Sequence, residues 1–312
     1  MTEKKAVVTI AGTPKKPRKR QSAARVTAGQ IIAETPPSGQ DMAFLHTTLC
    51  QVGLPRSKVE GREYTRSSGK DWLSVRAGSL DMGDGHGPVE QPLPYGPMPR
   101  LALAFISTYA KRHKTREVPI GDSAYEFLKL IGTARPNQRP SNTSYKTLQT
   151  QLHALAACHM QMGNGKGLTI NTQIAKRFQV WTGNADQPGL WPGVLTLDMD
   201  YFDALIEGGV PLDQRALMAL SGSALALDVY CWMAHRLHRI EGRRPLLLRW
   251  SSLREQFGQD YTGPEADKNF KKVFLPAMEK VLEVYPQATV KRAPGTGGGL
   301  QFYPSPPPIP KP

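Results

Sequence analysis

Apolar positions recur along this chain at two spacings, three or four residues in some stretches and two in others. The first spacing predicts helices and the second predicts strands. Leu101, Ala104, Phe105 and Thr108 share one side of a predicted helix from Leu101 to Lys111. A short extended link, Glu117–Ile120, follows. Ser123 and Glu126 stand three apart as a capping box and open a helix that stops at Gly132. Ser141 then starts a long helix reaching about Met162, with Tyr145, Leu148, Leu152, Leu155 and Cys158 facing inward. Two strand-like stretches come next, Leu168 to Trp181 and Val194 to Asp198.

The same order recurs further on. A helix is predicted from Ser223 to Ile240, with Leu227, Tyr230, Cys231, Ala234 and Leu237 inward, and a short strand over 246–250. Ser252 and Glu255 suggest a second capping box on a helix ending at Gly258. From Pro264 to Tyr285, Phe270, Phe274, Met278, Val281 and Leu282 share one face. Lys268, Asn269, Lys271 and Lys272 occupy the opposite face of its leading half, and Pro276 is expected to interrupt its backbone bonding. Strands at 288–292 and 300–303 flank the glycine-rich Pro294–Gly299, and a proline-rich tail closes the chain.

Helix, short strand, helix, helix and a two-strand ribbon, twice over, is the order of tandem winged helix-turn-helix domains in an α+β chain. The expected divisions are a basic, disordered arm (1–40), an N-terminal winged-helix domain (41–200) and a C-terminal one with its tail (201–312). The copies share element order but no evident residue identity. Between arm and first copy, Met42 to Leu49 has a short helical pattern. Residues 62–66 and 70–76 suggest a hairpin about Ser67-Ser68-Gly69, and the glycine- and proline-rich 77–99 reads mostly as loop. Between the copies, Tyr201 to Glu207 and Leu212 to Leu220 read as short helices, with Asp200 capping the first.

Charge changes this picture most. The formal net charge is +14, with a pI of about 9.7, which points to a polyanionic partner and to nucleic acid first. Residues 1–25 hold eight Lys and Arg against one Glu, half of that excess. Cys50, Cys158 and Cys231 have no paired spacing, which argues against a disulfide framework and fits a reducing compartment. There is no run of eighteen apolar residues, so no membrane span is expected, and the basic N-terminus lacks the apolar core of a signal peptide.

Motifs that would carry chemistry are incomplete. Gly163-Asn164-Gly165-Lys166-Gly167 lacks the spacing and ending of a phosphate loop. His235 and His238 have no third ligand in pattern, and Asp198 with Asp200 reads as a helix cap rather than a two-metal pair. The expectation is therefore no catalytic residue, no metal, no cofactor and no enzymatic activity.

The ordered set Leu93–Leu101, Ser123–Gly132, Ala226–Leu237, Arg249–Gly258, Tyr285–Ala288, Gly298–Leu300 and Pro304–Pro307 resembles the plasmid-encoded RepA-type replication initiators. The resemblance spans roughly residues 40–308. It implies a cytoplasmic bacterial protein that binds direct repeats, or iterons, in the double-stranded DNA of a plasmid origin. It further implies opening of an A·T-rich segment, loading of the host replicative helicase, often with DnaA, and dimers that are inactive or autorepress.

The expected DNA contacts follow from the element order and the placement of charge. Lys268, Asn269, Lys271 and Lys272 would enter a major groove, the Asn toward adenine edges and the lysines toward guanine or phosphate. Arg249, Ser251, Ser252 and Arg254 would hold phosphates at a helix start. Lys291 and Arg292 would reach backbone or minor groove from the ribbon. Arg139, Ser141, Asn142, Tyr145 and Lys146 would engage a second groove segment. The alternatives are a winged-helix repressor on an operator palindrome and an origin nickase or primase.

Overall fold

The computed structural model describes residues 19–120, 123–131, 133, 141–165, 167, 169–178, 193–242, 244–293 and 298–310. The described part begins with α1 (Lys19–Glu34), β1 (Met42–Leu45), α2 (Thr47–Gln51), β2 (Glu63–Ser68), β3 (Asp71–Arg76), β4 (Ser79–Asp81) and β5 (Pro88–Glu90). It continues through α3 (Pro97–His113), β6 (Glu117–Pro119), α4 (Ala124–Leu130), α5 (Asn142–Ala157), β7 (His159–Gly163), β8 (Thr169–Gln173), β9 (Ala175–Arg177) and β10 (Val194–Leu197). Then come α6 (Met199–Gly208), β11 (Val210–Asp213), α7 (Gln214–Ala219), α8 (Ala224–Arg236), β12 (Leu246–Arg249), α9 (Trp250–Phe257), α10 (Ala266–Val284), β13 (Val290–Ala293) and β14 (Gly299–Phe302).

Two units share one plan. In the first, α3, β6, α4, α5, β9 and β10 follow in order, and the sheet runs β6-β10-β9. In the second, α8, β12, α9, α10, β13 and β14 follow in order, and the sheet runs β12-β14-β13. In each, the first strand pairs with the third, and the second is an edge. All pairings are antiparallel.

Local chemistry sets the helix starts. The Ser123 hydroxyl accepts from the Glu126 amide, and the Ser141 hydroxyl from the Ser144 amide, both at 3.2 Å. Asp198, not Asp200, caps α6, accepting from the Asp200 amide at 3.1 Å. In α9 the expected Ser252 cap is absent, because the helix already begins at Trp250 behind Arg249. α9 stops at Gly258, where a Cβ would stand 2.4 Å from the Phe270 ring. That close approach lets α10 pack its aromatic face, and Phe270 and Phe274 lie 5.0 Å apart, with Phe257 5.5 Å from Phe274.

Several expectations give way to long-range pairing. Residues 19–34 of the expected arm form α1, which lies on α7 and α10 with Ile32 buried and Arg25 paired to Glu283. Residues 1–18 lie outside the described part. Met42–Leu45 is a strand, because its register with Val210–Asp213 buries Ala43 and Leu45 on one face. The same pairing makes 210–213 a strand and leaves only Gln214–Ala219 helical. The long helix ends at Ala157, and His159–Gly163 becomes β7. Cys158, Met160 and Met162 are all buried, with β7 paired to β3.

The predicted strand from Leu168 divides at Ile174. β8 completes a four-stranded sheet, β2-β3-β7-β8, while β9 joins β10. The hairpin about Gly69 is as expected, with a two-residue loop and φ of 60° at Gly69. The segment 77–99 holds the small β4–β5 hairpin and the start of α3. α10 runs from Ala266 to Val284 with Pro276 inside it. Both Lys272 and Pro276 are exposed, so water can bond the carbonyl that the proline leaves free.

The two units are joined by a buried ion pair. Arg100 of α3 grips Asp228 of α8 through two bonds of 2.7 and 2.9 Å. Its remaining donors go to the carbonyls of Leu54, Pro55 and Gly96. Gly53 lies against the same carboxylate, where an added Cβ would come within 2.7 Å of an oxygen. The tail docks as well, with Tyr285 donating to the Pro306 carbonyl at 2.7 Å and Ile309 buried.

Buried His46 gives the fold a sensitivity to acid. It stacks on Tyr201 with ring centroids 5.7 Å apart, and its Nδ1 accepts from the Thr48 amide at 3.2 Å. Burial pushes its pKa down to about 4. An unfolded chain takes up that proton near pH 6.5, while the folded one resists until about 4. Stability from this site is therefore complete above about pH 6.5 and is lost as pH falls toward 4. Comparing urea midpoints at pH 7 and 4.5, His46→Gln should recover about 2–3 kcal/mol of the acid loss. A loss equal in both proteins would assign the acid sensitivity elsewhere.

Candidate nucleic-acid interface

Trp250, the first residue of α9, organises the surface around the leading half of α10. Its indole lies 6.2 Å from the Phe274 ring, with the Lys271 ammonium 4.9 Å above it. Gly298, at the base of the β13–β14 connection, leans on the same indole, where an added Cβ would lie 3.3 Å from Nε1. One side chain thus fixes α9, α10 and the ribbon to each other.

Lys268, Asn269, Lys271 and Lys272 are all exposed on α10. Lys268 is paired with Glu265 one turn earlier, on the surface, where such a pair is weak and readily exchanged. Lys291 and Arg292 are exposed on the edge strand β13, and Lys291 lies 5.1 Å over Tyr303. Arg249 and Ser251 are exposed, and Ser252 is half-buried in the first turn of α9. No side chain caps α9 or α10, whereas α4, α5, α6, α7 and α8 each have one. The uncapped start of α9 keeps first-turn amides available to an anion, whereas Glu265 and Asp267 make the start of α10 unfavourable to one.

Arg254 departs from its expected role. Its guanidinium bonds Asp267 and the Tyr261 carbonyl, which ties α9 to the turn before α10. It braces the helices instead of reaching outward.

In the first unit, Ser141 spends its hydroxyl on the α5 cap, and Tyr145 packs against the core. Asn142 and Lys146 are exposed, and Arg139 lies outside the described residues. Lys176 and Arg177 were not anticipated. They are exposed on β9, the second strand of its sheet, as Lys291 and Arg292 are on β13. The signal was a Lys-Arg pair following one buried residue in both strands, Ala175 and Val290.

The dismissed motifs have structural roles. Gly163–Gly167 connects β7 to β8, and Lys166 within it lies outside the described residues. His235 bonds Gln51, His238 faces the Ala234 carbonyl, and Asp198 also accepts from Thr172. Among the described residues no cluster of His, Cys, Asp or Glu is arranged to hold a metal, and no helix is long and apolar enough to cross a membrane. Cys50, Cys158 and Cys231 are free and buried.

The family model described as plasmid-encoded RepA protein matches residues 93–251, which is half of the chain. The chain belongs to the plasmid-encoded RepA family. The match begins just before α3 and ends in the first turn of α9, so it joins the two units of this RepA-family protein. Among solved structures it is similar to the crystal structure of domains 2 and 3 of RctB, as selenomethionine derivatives. That similarity has a TM-score of 0.50 at 10% identity, over 90% of this chain and 99% of that one. A second RctB structure, residues 155–483, has a TM-score of 0.46 at 11% identity, over 82% and 95%. The first shows a shared mixed α and β fold. No curated protein sequence matches the chain.

Proposed function

We propose that this RepA-family protein is a plasmid replication initiator that binds repeated sites in origin DNA through two winged helices. The observation that carries this reading is the doubled plan in which first and third strands pair, with an exposed Lys/Asn face on the third helix of the second unit. A helix offering Asn and Lys can pair with adenine and guanine edges in the major groove. The uncapped start of α9, with Arg249 and Ser251, suits a phosphate. Lys291 and Arg292 would follow the backbone from the ribbon. In the N-terminal domain (41–200), Asn142 and Lys146, helped by Lys176 and Arg177, would engage a second groove segment about one turn away. The C-terminal domain (201–312) would provide the main readout.

In this reading the protein breaks no bond. It binds double-stranded plasmid DNA, opens the origin and recruits host replication proteins such as DnaA and the replicative helicase. A homodimer would serve as the repressing form in the cytoplasm.

Footprinting on the plasmid's own origin tests this first. Protection of direct repeats is expected, whereas a lone protected palindrome would make the protein a repressor. Point variants then separate the roles. Asn269→Ala should cost about 1–3 kcal/mol on the cognate repeat and relax specificity. Lys291→Ala should weaken all DNA about evenly and lower the salt slope by about one. Site-specific nicking of supercoiled plasmid with Mg²⁺ would instead establish an enzyme.

A further inference from the structure

We propose that the cleft between α3, α4 and α7 is a docking site for an acidic amphipathic segment of another protein. It encloses a cavity of about 220 Å³. An apolar cavity of about 150 Å³ already accommodates a benzene ring, so there is room here for one Phe or Leu side chain. Phe105 and Tyr109 of α3 and Leu217 of α7 form the walls. Leu130 of α4 and Met218 of α7 stand at the lining, 41% and 40% exposed. Leu130 and Met218 open onto one cavity lined by further apolar side chains, so they form a joined apolar patch in place of scattered exposed residues, and a Met among them can adjust to its guest.

Charge at the mouth selects the guest. Arg112 and His113 line the cavity, and Lys114 and Lys129, exposed neighbours in sequence of His113 and Leu130, add positive charge to the surrounding surface. Arg112 is held in place by the carbonyls of Gly39, Gln40 and Met42. The acids on the flanking elements are Asp41, engaged by Ser38, Asp213, buried and paired with Arg215, and Glu126. The chain's own residues 1–18 carry Lys4, Lys5, Lys15, Lys16 and Arg18 against Glu3, so this rim repels them. DNA satisfies the rim but has nothing to fill the apolar cavity. A segment with one large apolar residue between Asp or Glu satisfies both. The inference is independent of DNA binding, which is assigned to other surfaces.

The test is fluorescence anisotropy on the full chain with a fluorescein-labelled synthetic peptide of sequence Asp-Asp-Leu-Asp-Phe-Asp-Asp. Saturable binding is expected, and Leu130→Glu with Met218→Glu should weaken it by about tenfold or more. The same peptide with Lys in place of Asp should not bind. Both substituted positions are exposed, so the urea midpoint and origin binding should be unchanged. Equal affinity of both proteins for the peptide, or equal binding of the Lys peptide, would overturn the proposal. So would a dimer of the wild-type chain that the double variant abolishes, since a second copy would then be the occupant.

Discussion

A protein carrying Lys268→Ala, Lys271→Ala and Lys272→Ala together should lose most of its affinity for origin DNA while remaining folded. All three ammonium groups are exposed on α10, and none contributes to the core. Each of these lysines that meets a phosphate instead of a guanine edge releases about one counterion, so the slope of log affinity against log salt should fall by up to about three. The decisive measurement is that slope, from titrations at several salt concentrations. Affinity and slope both unchanged would show that DNA approaches another face. A loss confined to low salt would show long-range attraction without contact. Lys271 adds a specific expectation. Its perch over Trp250 aims it across the start of α9, so Trp250→Phe should reproduce part of the loss.

Asp228→Ala should cost about 3–5 kcal/mol of stability, a large share of the 5–15 typical of a domain. It leaves the Arg100 guanidinium buried between three carbonyls with no counter-charge. Chemical denaturation measures the loss directly. Replacing both partners with apolar residues, as Arg100→Met with Asp228→Leu, should recover much of it, because the cost lies in the unpaired charge. If the single change is tolerated, the pair does not hold α3 to α8. The consequence for DNA is separable. The double variant should fold, yet bind two adjacent groove segments less well than one, because the orientation of the units is then less constrained.

The second unit was legible because its elements are long, strongly periodic or bounded by glycine. Phe270, Phe274, Met278 and Val281 form a stripe that admits one period, and all four are buried. Ser123, Ser141 and Gly69 signal their turns through local chemistry, and the signals are met nearby in sequence. Elsewhere the deciding partner is distant. Cys158 and Met162 are four apart, which suits a helix, while Met160 between them suits a strand; pairing with β3 decides it. Met42–Leu45 becomes a strand only because 210–213 lies beside it. Ile174 sits within what reads as one strand, and nothing local tells that β8 and β9 belong to different sheets.

At the candidate interface, the exposed Lys/Asn face of α10 and the ribbon cations were visible in the sequence, since exposed charge needs no partner to be recognised. The inward turn of Arg254 was not, because it depends on Asp267 and the Tyr261 carbonyl being folded beside it. Lys176 and Arg177 stand out only through the shared strand order, which puts them level with Lys291 and Arg292.

The seat of α1 on α10 bears on how the protein is made. Arg25 and its partner Glu283 are 258 positions apart. During synthesis α1 leaves the ribosome long before α10 exists, and the first helix must wait for one of the last. Its docking is a late step that closes a long loop, at an entropic cost that grows only slowly with length. Until then the apolar residues that α1 buries on α10 stay open to water.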